Sequence, residues 1–383
     1  MEDPRIVRIE WGRLEGLRPR PAGANARLGE HGRGVPLPLI RLTTEDGATG
    51  FGRGGISPEV AVNLLGARLS GLFPAEEDGI AAAALPVEFA LWDLAGRRAG
   101  RPVYALLAER AGAGLPSSPP PLRVPCYDTS LYFDDLHLPT TGEAAAHIAA
   151  EAYEGFAAGH RAFKIKVGRG ARHLPLEEGT QRDIAIVRAV REAVGPDCPL
   201  MLDANNGYNL NLTKRVLEET ADCGVFWIEE AFHEDPVLYR DLKGWLAERE
   251  LPVLIADGEG QASPTLLQWA REGLVDVIQY DIFGHGLTGW LRTGRQLDEW
   301  GVRSAPHHYG GHIGNYATPH LAAALRGFTF VEWDETATPG LDASAYRVEE
   351  GHVVVPDAPG FGLSLDEAAF RHAVAENGGE QRL

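Results

Sequence analysis

Carboxylates recur at one kind of place in this sequence, directly after short apolar or β-branched runs. Asp203 follows "CPLML", Glu229 and Glu230 follow "GVFWI", and Asp257 and Glu259 come at the end of "PVLIADGE". Asp203, Glu229 and Glu259 together offer hard oxygen donors, with no Cys and no obligatory His among them. That set suits Mg²⁺, which takes a few carboxylates plus water and substrate oxygens, better than Zn²⁺. A cation also explains how three neighbouring carboxylates stay ionised together. A substrate carboxylate bound there acquires a removable α-proton, because the cation holds the enediolate formed when it leaves. Any one of these acids could instead cap the helix that follows it. Three at the same place on consecutive runs point to a metal.

The bases lie on neighbouring runs. In "RAFKIKVGRG" alternate side chains of a strand share a face, so Lys164 and Lys166 point together and Phe163, Ile165 and Val167 point away. Lys166 is placed to take the α-proton. Lys164 beside it is expected to lower its pKa by like-charge repulsion, leaving a neutral amine near pH 7. Across the ring "QYDI" ends near Asp281 and the next run ends in "PHHYG". An Asp that orients a His on the adjacent strand fixes its tautomer and makes it a better base, which puts a second base on the opposite face of the substrate. The dipeptide His307-His308 leaves the identity of that base to the strand register. Asn205, His285 in "FGHGLTG" and whichever of the two histidines is not the base are candidates for substrate contacts.

The elements that must position these groups are βα units. Eight runs alternate with helical stretches from residue 122 onward: "RVPCYDTS", "AFKIKVG", "CPLMLDAN", "GVFWIEEAF", "PVLIADGE", "VDVIQYDI", "GVRSAPHH" and "FTFVEWDE". Eight is the number that closes a parallel barrel, whose active site lies at the carboxyl ends of its strands. An open doubly wound sheet is the alternative, but no Gly-rich dinucleotide fingerprint opens the first unit. Upstream, "PLIRLTTEDGATGFGRG" has the pattern of a hairpin turning at Asp46-Gly47, and "PVEFALWDLAGRRAG" that of a helix with a Gly-rich stop. The Pro-rich "GLPSSPPPLRVP" reads as a linker. These features divide the chain into an α+β module over 1–121, a βα barrel over 122–338, and a segment over 339–383, with the strand candidate "HVVVP", that packs back on the first module.

As a set, "KIK", "LDAN", "WIEE", "GE", the Asp of the sixth run and the His of the seventh resemble the enolase superfamily, and within its mandelate racemase and muconate lactonizing enzyme-like members the mandelate racemase subgroup. "FALWDLAGRRAGRPVYALL" and the hairpin look like that family's capping domain, so the resemblance covers nearly the whole chain. It implies a (β/α)8-type TIM barrel in the family's modified form, under an α+β capping domain built from the N-terminal region and the C-terminal tail. It further implies that Asp203, Glu229 and Glu259 ligate Mg²⁺, that Lys166, with Lys164 beside it, is one acid/base, and that the His307–Asp281 dyad is the other. The family pattern favours His307 over His308. Glu332, in "FVEWDE", falls where the family places a carboxylic acid that hydrogen-bonds the substrate carboxylate. The stretch "RGARHLPLEEGTQRD" departs by its length and is expected to be a lid or an interface loop.

Composition bounds the partners. The 383 residues are 44% hydrophobic and carry 36 Lys+Arg against 54 Asp+Glu, a net charge of −18, which disfavours nucleic acid. Three scattered cysteines, Cys126, Cys198 and Cys223, make neither a disulfide framework nor a zinc site. No run approaches the length of a membrane span, and "MEDPRIVRIEW" lacks the order of a secretion signal, so a cytoplasmic homo-oligomer is expected. The expected partner is a small carboxylate, an acid sugar or an α-hydroxy acid. Two bases permit dehydration to a 2-keto-3-deoxy acid or racemisation and epimerisation; within the subgroup dehydration of acid sugars is the commoner outcome and the favoured one here. A non-catalytic acid-binding homologue, and a Schiff-base aldolase using Lys164 or Lys166, are readings of other classes. Specificity should lie in residues 18–34, "RPRPAGANARLGEHGRG", as a mobile lid, while Trp227 packs in the core.

Overall fold

The computed structural model describes residues 3–74, 79–114 and 121–383. Half of the expected Pro-rich linker, residues 115–120, lies outside them. Two layers face each other, an antiparallel sheet and a parallel barrel.

The sheet begins with β1 (Ile6–Ala22), β2 (Gly32–Thr44) and β3 (Thr49–Arg53). Asp46-Gly47 forms the turn between β2 and β3, with Gly47 at φ +83°, a conformation that favours glycine. The helix Glu88–Ala99 packs on β3 and stops at Gly100 in the left-handed region. The glycines of "TGFGR" permit this contact. A Cβ at Gly50 would collide with the backbone of Leu94, and one at Gly52 would stand 2.5 Å from Cβ of Phe89.

The barrel strands are β4 (Leu122–Leu131), β5 (Phe163–Lys166), β6 (Leu200–Asp203), β7 (Val225–Glu229), β8 (Leu254–Asp257), β9 (Val277–Ile278), β10 (Arg303–Ser304) and β11 (Val331–Trp333). Each pairs in parallel with the next from β4 to β10, and β11 pairs in parallel with β4. Ser304 closes the ring, donating to Gly327 O and accepting from Thr329 N at 2.9 Å each. Alternation along the strands separates two cores. Outward residues such as Phe163, Ile165, Leu200 and Leu202 pack under the helices. Tyr127, Met201, Trp227, Ala256, Val277 and Ala305 form a separate cluster drawn from successive strands, with Lys164 Nζ 5.2 Å from the Tyr127 ring centroid.

After β11 the chain leaves the barrel instead of adding an eighth helix. It forms β12 (Leu341–Asp342), β13 (Arg347–Glu349), β14 (His352–Val355), β15 (Ser364–Leu365), the helix Glu367–Asn377 and β16 (Gly379–Arg382). The strand of "HVVVP", β14, pairs antiparallel with the first residues of β4, on the barrel, whereas the Glu367–Asn377 helix packs on β1 and β16 pairs with it. The tail therefore binds both layers. Among the described residues no helix is long and apolar enough to cross a membrane.

Candidate active site

Every acid and base singled out on the strands, apart from two histidines, converges at the carboxyl ends of the barrel strands. Asp203 and Glu229 are the last residues of β6 and β7, in register with each other, and Lys166 is in register with Asp203. Glu259 lies two residues beyond β8. One carboxylate oxygen from each of Asp203, Glu229 and Glu259 lies within 4.8 Å of the others. Asp203 is fixed by Asn205 N at 3.0 Å, and Glu229 by Trp227 Nε1 at 3.0 Å and Gln279 Nε2 at 2.9 Å. Asn205 Nδ2 bridges Glu230 and Glu259, at 3.1 Å to each. To reach there the chain adopts left-handed backbone at Asn205, Asn206 and Glu230, with φ of 42°, 59° and 41°, strain of the kind that persists at functional sites.

The donor set fits a divalent cation. It is all oxygen, and its own repulsion is visible: burial, with Asp203 and Glu259 nearby, pushes the Glu229 carboxyl up to about 8 despite Lys164. A cation held by these three would relieve that repulsion.

The lysines share the barrel face that alternation requires. Lys164 Nζ lies 2.7 Å from Glu229, 3.0 Å from Glu332 and 3.4 Å from Asp203, and Lys166 Nζ pairs with Asp203. The expected neutral amine is not what this geometry gives. Burial and Lys164 lower the Lys166 pKa, but Asp203 outweighs them and the ammonium form is favoured. Glu332 also differs from the expected acid. Its Oε1 accepts from Thr129 at 2.8 Å and its Oε2 from the backbone N–H groups of His308 and Tyr309 at 2.8 and 3.0 Å. Against its burial, Lys164 and His307 hold it well below the usual carboxylate range.

His307 is the histidine that faces the site. Its Nδ1 is 3.1 Å from Asp281, and its Nε2 is 3.3 Å from Glu259 and 3.7 Å from Glu332. Burial lowers its pKa, but Glu259, Glu332 and Asp281 raise it more, up to about 9. His308 is fully buried with its ring against Gly314, so its main-chain N–H rather than its imidazole serves the site. His285 also stands elsewhere. Its Nε2 meets Thr293 Oγ1 at 2.8 Å, and its ring packs on Tyr280 and Trp290, because the Ile282–Trp300 helix kinks at Gly286.

A cavity of about 330 Å³ opens over this floor, bounded below by Lys166, Asn205, Glu259 and His307. The β1–β2 hairpin roofs it. Much of the 18–34 stretch expected as a lid is strand, and its turn is fastened: Ala24 bridges to Phe133, and Arg18 forms a bidentate pair with Asp334 at 2.9 and 2.8 Å. Residues 169–182 are neither lid nor free loop. Arg169 is fully buried between Asp135 and Asp183, a helix starts at Leu176, and His173 Nε2 lies 2.8 Å from Asn25 O. Trp227 does sit in the core, yet its indole also steadies Glu229. Sequence reasoning missed that role, the Gln279 bond to Glu229 and the Tyr309 N–H bond to Glu332, none of which belongs to a charged or repeated pattern.

The fold and the site agree with what the chain resembles. The family model for the enolase C-terminal domain-like group matches residues 147–369. An arabinonate dehydratase of Saccharolobus solfataricus is 28% identical over 302 residues, 76% of this chain and 72% of that protein. Two solved structures from Geobacillus are each 48% identical. One is a galacturonate dehydratase complexed with D-galacturonate and 5-keto-4-deoxy-D-galacturonate, covering 100% of both chains with a TM-score of 0.94. The other is a mandelate racemase/muconate lactonizing protein complexed with magnesium and tartrate, covering 100% of this chain and 98% of that one with a TM-score of 0.96. The chain is a member of the enolase superfamily, of the mandelate racemase and muconate lactonizing enzyme-like kind.

Proposed function

We propose that this protein is a Mg²⁺-dependent dehydratase of acid sugars, acting on a hexuronate of the galacturonate type. The observation that carries the reading is the placement of Lys166 and His307 against different members of one carboxylate triad, Asp203 and Glu259, in a single cavity. The likeness to the galacturonate dehydratase along the whole chain supports the substrate class.

In this reading Asp203, Glu229 and Glu259 hold the cation, and residues 122–338 form the catalytic barrel beneath a cap made of 1–121 and the end of the tail, the Glu367–Asn377 helix and β16, while β14 stays on the barrel. A Mg²⁺ ion held there would supply the positive charge that stabilises an enediolate. Lys166, after giving its own proton to solvent, takes as a neutral amine the proton on the carbon next to the substrate carboxylate. His307, held as imidazolium by its carboxylate neighbours, gives its Nε2 proton to the β-hydroxyl as the C–O bond breaks, so that water leaves. Asp281 fixes the His307 tautomer through Nδ1, and Glu332 keeps Lys164 and His307 in their charged forms. The enol that remains takes a proton at the β-carbon and becomes a 2-keto-3-deoxy acid, counted from the carboxyl end. A protonated His307 serves either outcome, delivering its proton to a leaving hydroxyl or to carbon, and the likeness to acid-sugar dehydratases favours elimination. Assay of D-galacturonate with Mg²⁺ for a keto-deoxy product tests the proposal, and absence of turnover on this and on the related aldonic and aldaric acids would reject it.

A further inference from the structure

The roof of the cavity holds a polar group that this chemistry does not use. Three hairpin residues that line it have polar side chains: Arg18, Asn25 and His31. Arg18 is committed to Asp334 and lies over the Tyr309 ring at 4.4 Å. The Asn25 side-chain oxygen accepts from the N–H groups of Arg27 and Leu28 at 2.9 and 2.7 Å, which shapes the turn. His31 differs. Its backbone N–H donates to Ala22 O at 3.0 Å, and its ring stands edge-on to Tyr132 and Tyr309, with centroids 5.0 and 5.6 Å away. With the backbone and ring held in this way, Nε2 is buried and meets no hydrogen-bond partner. The Tyr309 hydroxyl is buried in the same condition.

A buried polar atom without a partner destabilises the protein, and a ligand oxygen bonded to it would offset that cost. Burial, reinforced by Lys166 and Arg18, pushes the His31 pKa down to about 4, and a neutral imidazole, with one donor, one acceptor and no charge, pairs with a hydroxyl or carbonyl oxygen and brings no cation to offset a buried anion. Charge points the same way. Of the two cations other than histidine that line the cavity, Arg18 already pairs with Asp334, and Lys166 lies on the floor with Asp203, where the α-proton is removed. A second substrate carboxylate under the hairpin would meet no uncommitted cation there, and burying an unpaired charge is expensive.

We propose that His31 Nε2 and Tyr309 Oη bind the end of the substrate remote from its carboxylate, and that this pair selects monocarboxylate sugar acids ending in an aldehyde or hydroxyl over dicarboxylate aldaric acids. The proposal rests on the dehydratase reading. It goes beyond it by assigning the distal subsite and its preference.

The test compares kcat/KM for D-galacturonate and for galactarate, which carries a carboxylate at both ends, in the wild type and four variants. The wild type should prefer galacturonate. His31→Phe should lose at least about tenfold on galacturonate, mainly through KM, while His31→Gln, which keeps a donor and an acceptor, recovers most of it. His31→Arg should raise the galactarate-to-galacturonate ratio at least about tenfold by supplying the missing cation. Tyr309→Phe removes one oxygen and keeps the ring, so it reads the subsite even if the His31 variants fold poorly. A loss of at least about threefold is expected there. Smaller changes in a wild type that does dehydrate galacturonate overturn the subsite alone. A wild type that dehydrates neither acid overturns the dehydratase reading and the subsite with it.

Discussion

One carboxylate of Asp281 does two jobs. Its Oδ2 stands 3.1 Å from His307 Nδ1, while its Oδ1 accepts from the N–H groups of Phe283 and Gly284 at 2.8 and 3.0 Å and caps the Ile282–Trp300 helix. One carboxylate thus serves as a helix cap and as the partner of an imidazole. The helix end fixes the carboxylate, and the carboxylate fixes the imidazole.

Asp281→Asn separates the two jobs. The amide oxygen still caps the helix, so thermal denaturation should shift by no more than about 1 kcal/mol. Orientation and charge at His307 are lost, and kcat should fall by about 10²-fold or more. Equal losses in stability and rate would mean that Asp281 acts only as a cap.

Glu229→Gln removes a proposed metal ligand and leaves Lys164 with Glu332 and Asp203. Circular dichroism should be unchanged while Mg²⁺-dependent activity falls by about 10³-fold or more. Isothermal titration should find Mg²⁺ binding weakened by at least about tenfold. Full activity of the wild type after exhaustive chelation would contradict the role of the triad.

His307 contributes to the pH dependence of stability. Its folded pKa, about 9, lies above the ordinary value of 6.5. Its contribution is therefore complete below about 6.5 and is lost as pH rises through about 9. Melting temperatures of the metal-free protein should decline across that window, and His307→Gln should flatten the decline. A variant with the wild-type slope would place the titration elsewhere.

A buried ion network directly behind Lys166, whose carbonyl accepts from Arg169 at 3.0 Å, should contribute strongly to the stability of the second βα unit. Arg169 contacts Asp135 at 2.6 Å and Asp183 at 2.8 Å, and all three are fully buried. Asp183→Ala leaves Arg169 short of a counter-charge and strips an acceptor from Gly168 N and the Tyr208 hydroxyl, each bonded at 2.8 Å. Urea denaturation should register a loss of about 3–5 kcal/mol. A loss below about 1 kcal/mol would show that Asp135 alone suffices.

How much of this was legible in the sequence depends on distance along the chain. The shared face of Lys164 and Lys166 follows from strand alternation within three residues, and the carboxylate triad follows from the repeated position of acids after apolar runs. The protonation of Lys166 does not, because it is set by Asp203, 37 residues away, whose register with Lys166 only pairing of the strands establishes. Arg169 looked like part of a loop because its partners lie 34 residues before and 14 after it. His285 and His308 misled because one helix kink and one close glycine turn their rings aside. The Trp227 bond to Glu229 and the unpartnered nitrogen of His31 depend on side-chain direction, which single residue types do not encode.

The central claim is α-proton removal by Lys166 followed by loss of water assisted by His307. The most direct test incubates D-galacturonate, Mg²⁺ and enzyme in D₂O and follows the products by mass spectrometry and NMR. The wild type should yield a keto-deoxy acid that has lost one water and gained one deuteron at the β-carbon. Lys166→Ala should give neither elimination nor exchange. His307→Ala should still exchange the α-proton while elimination falls by about 10²-fold or more. Deuterium at the α-carbon of intact substrate with no loss of water in the wild type, or elimination that survives in Lys166→Ala, would contradict the account.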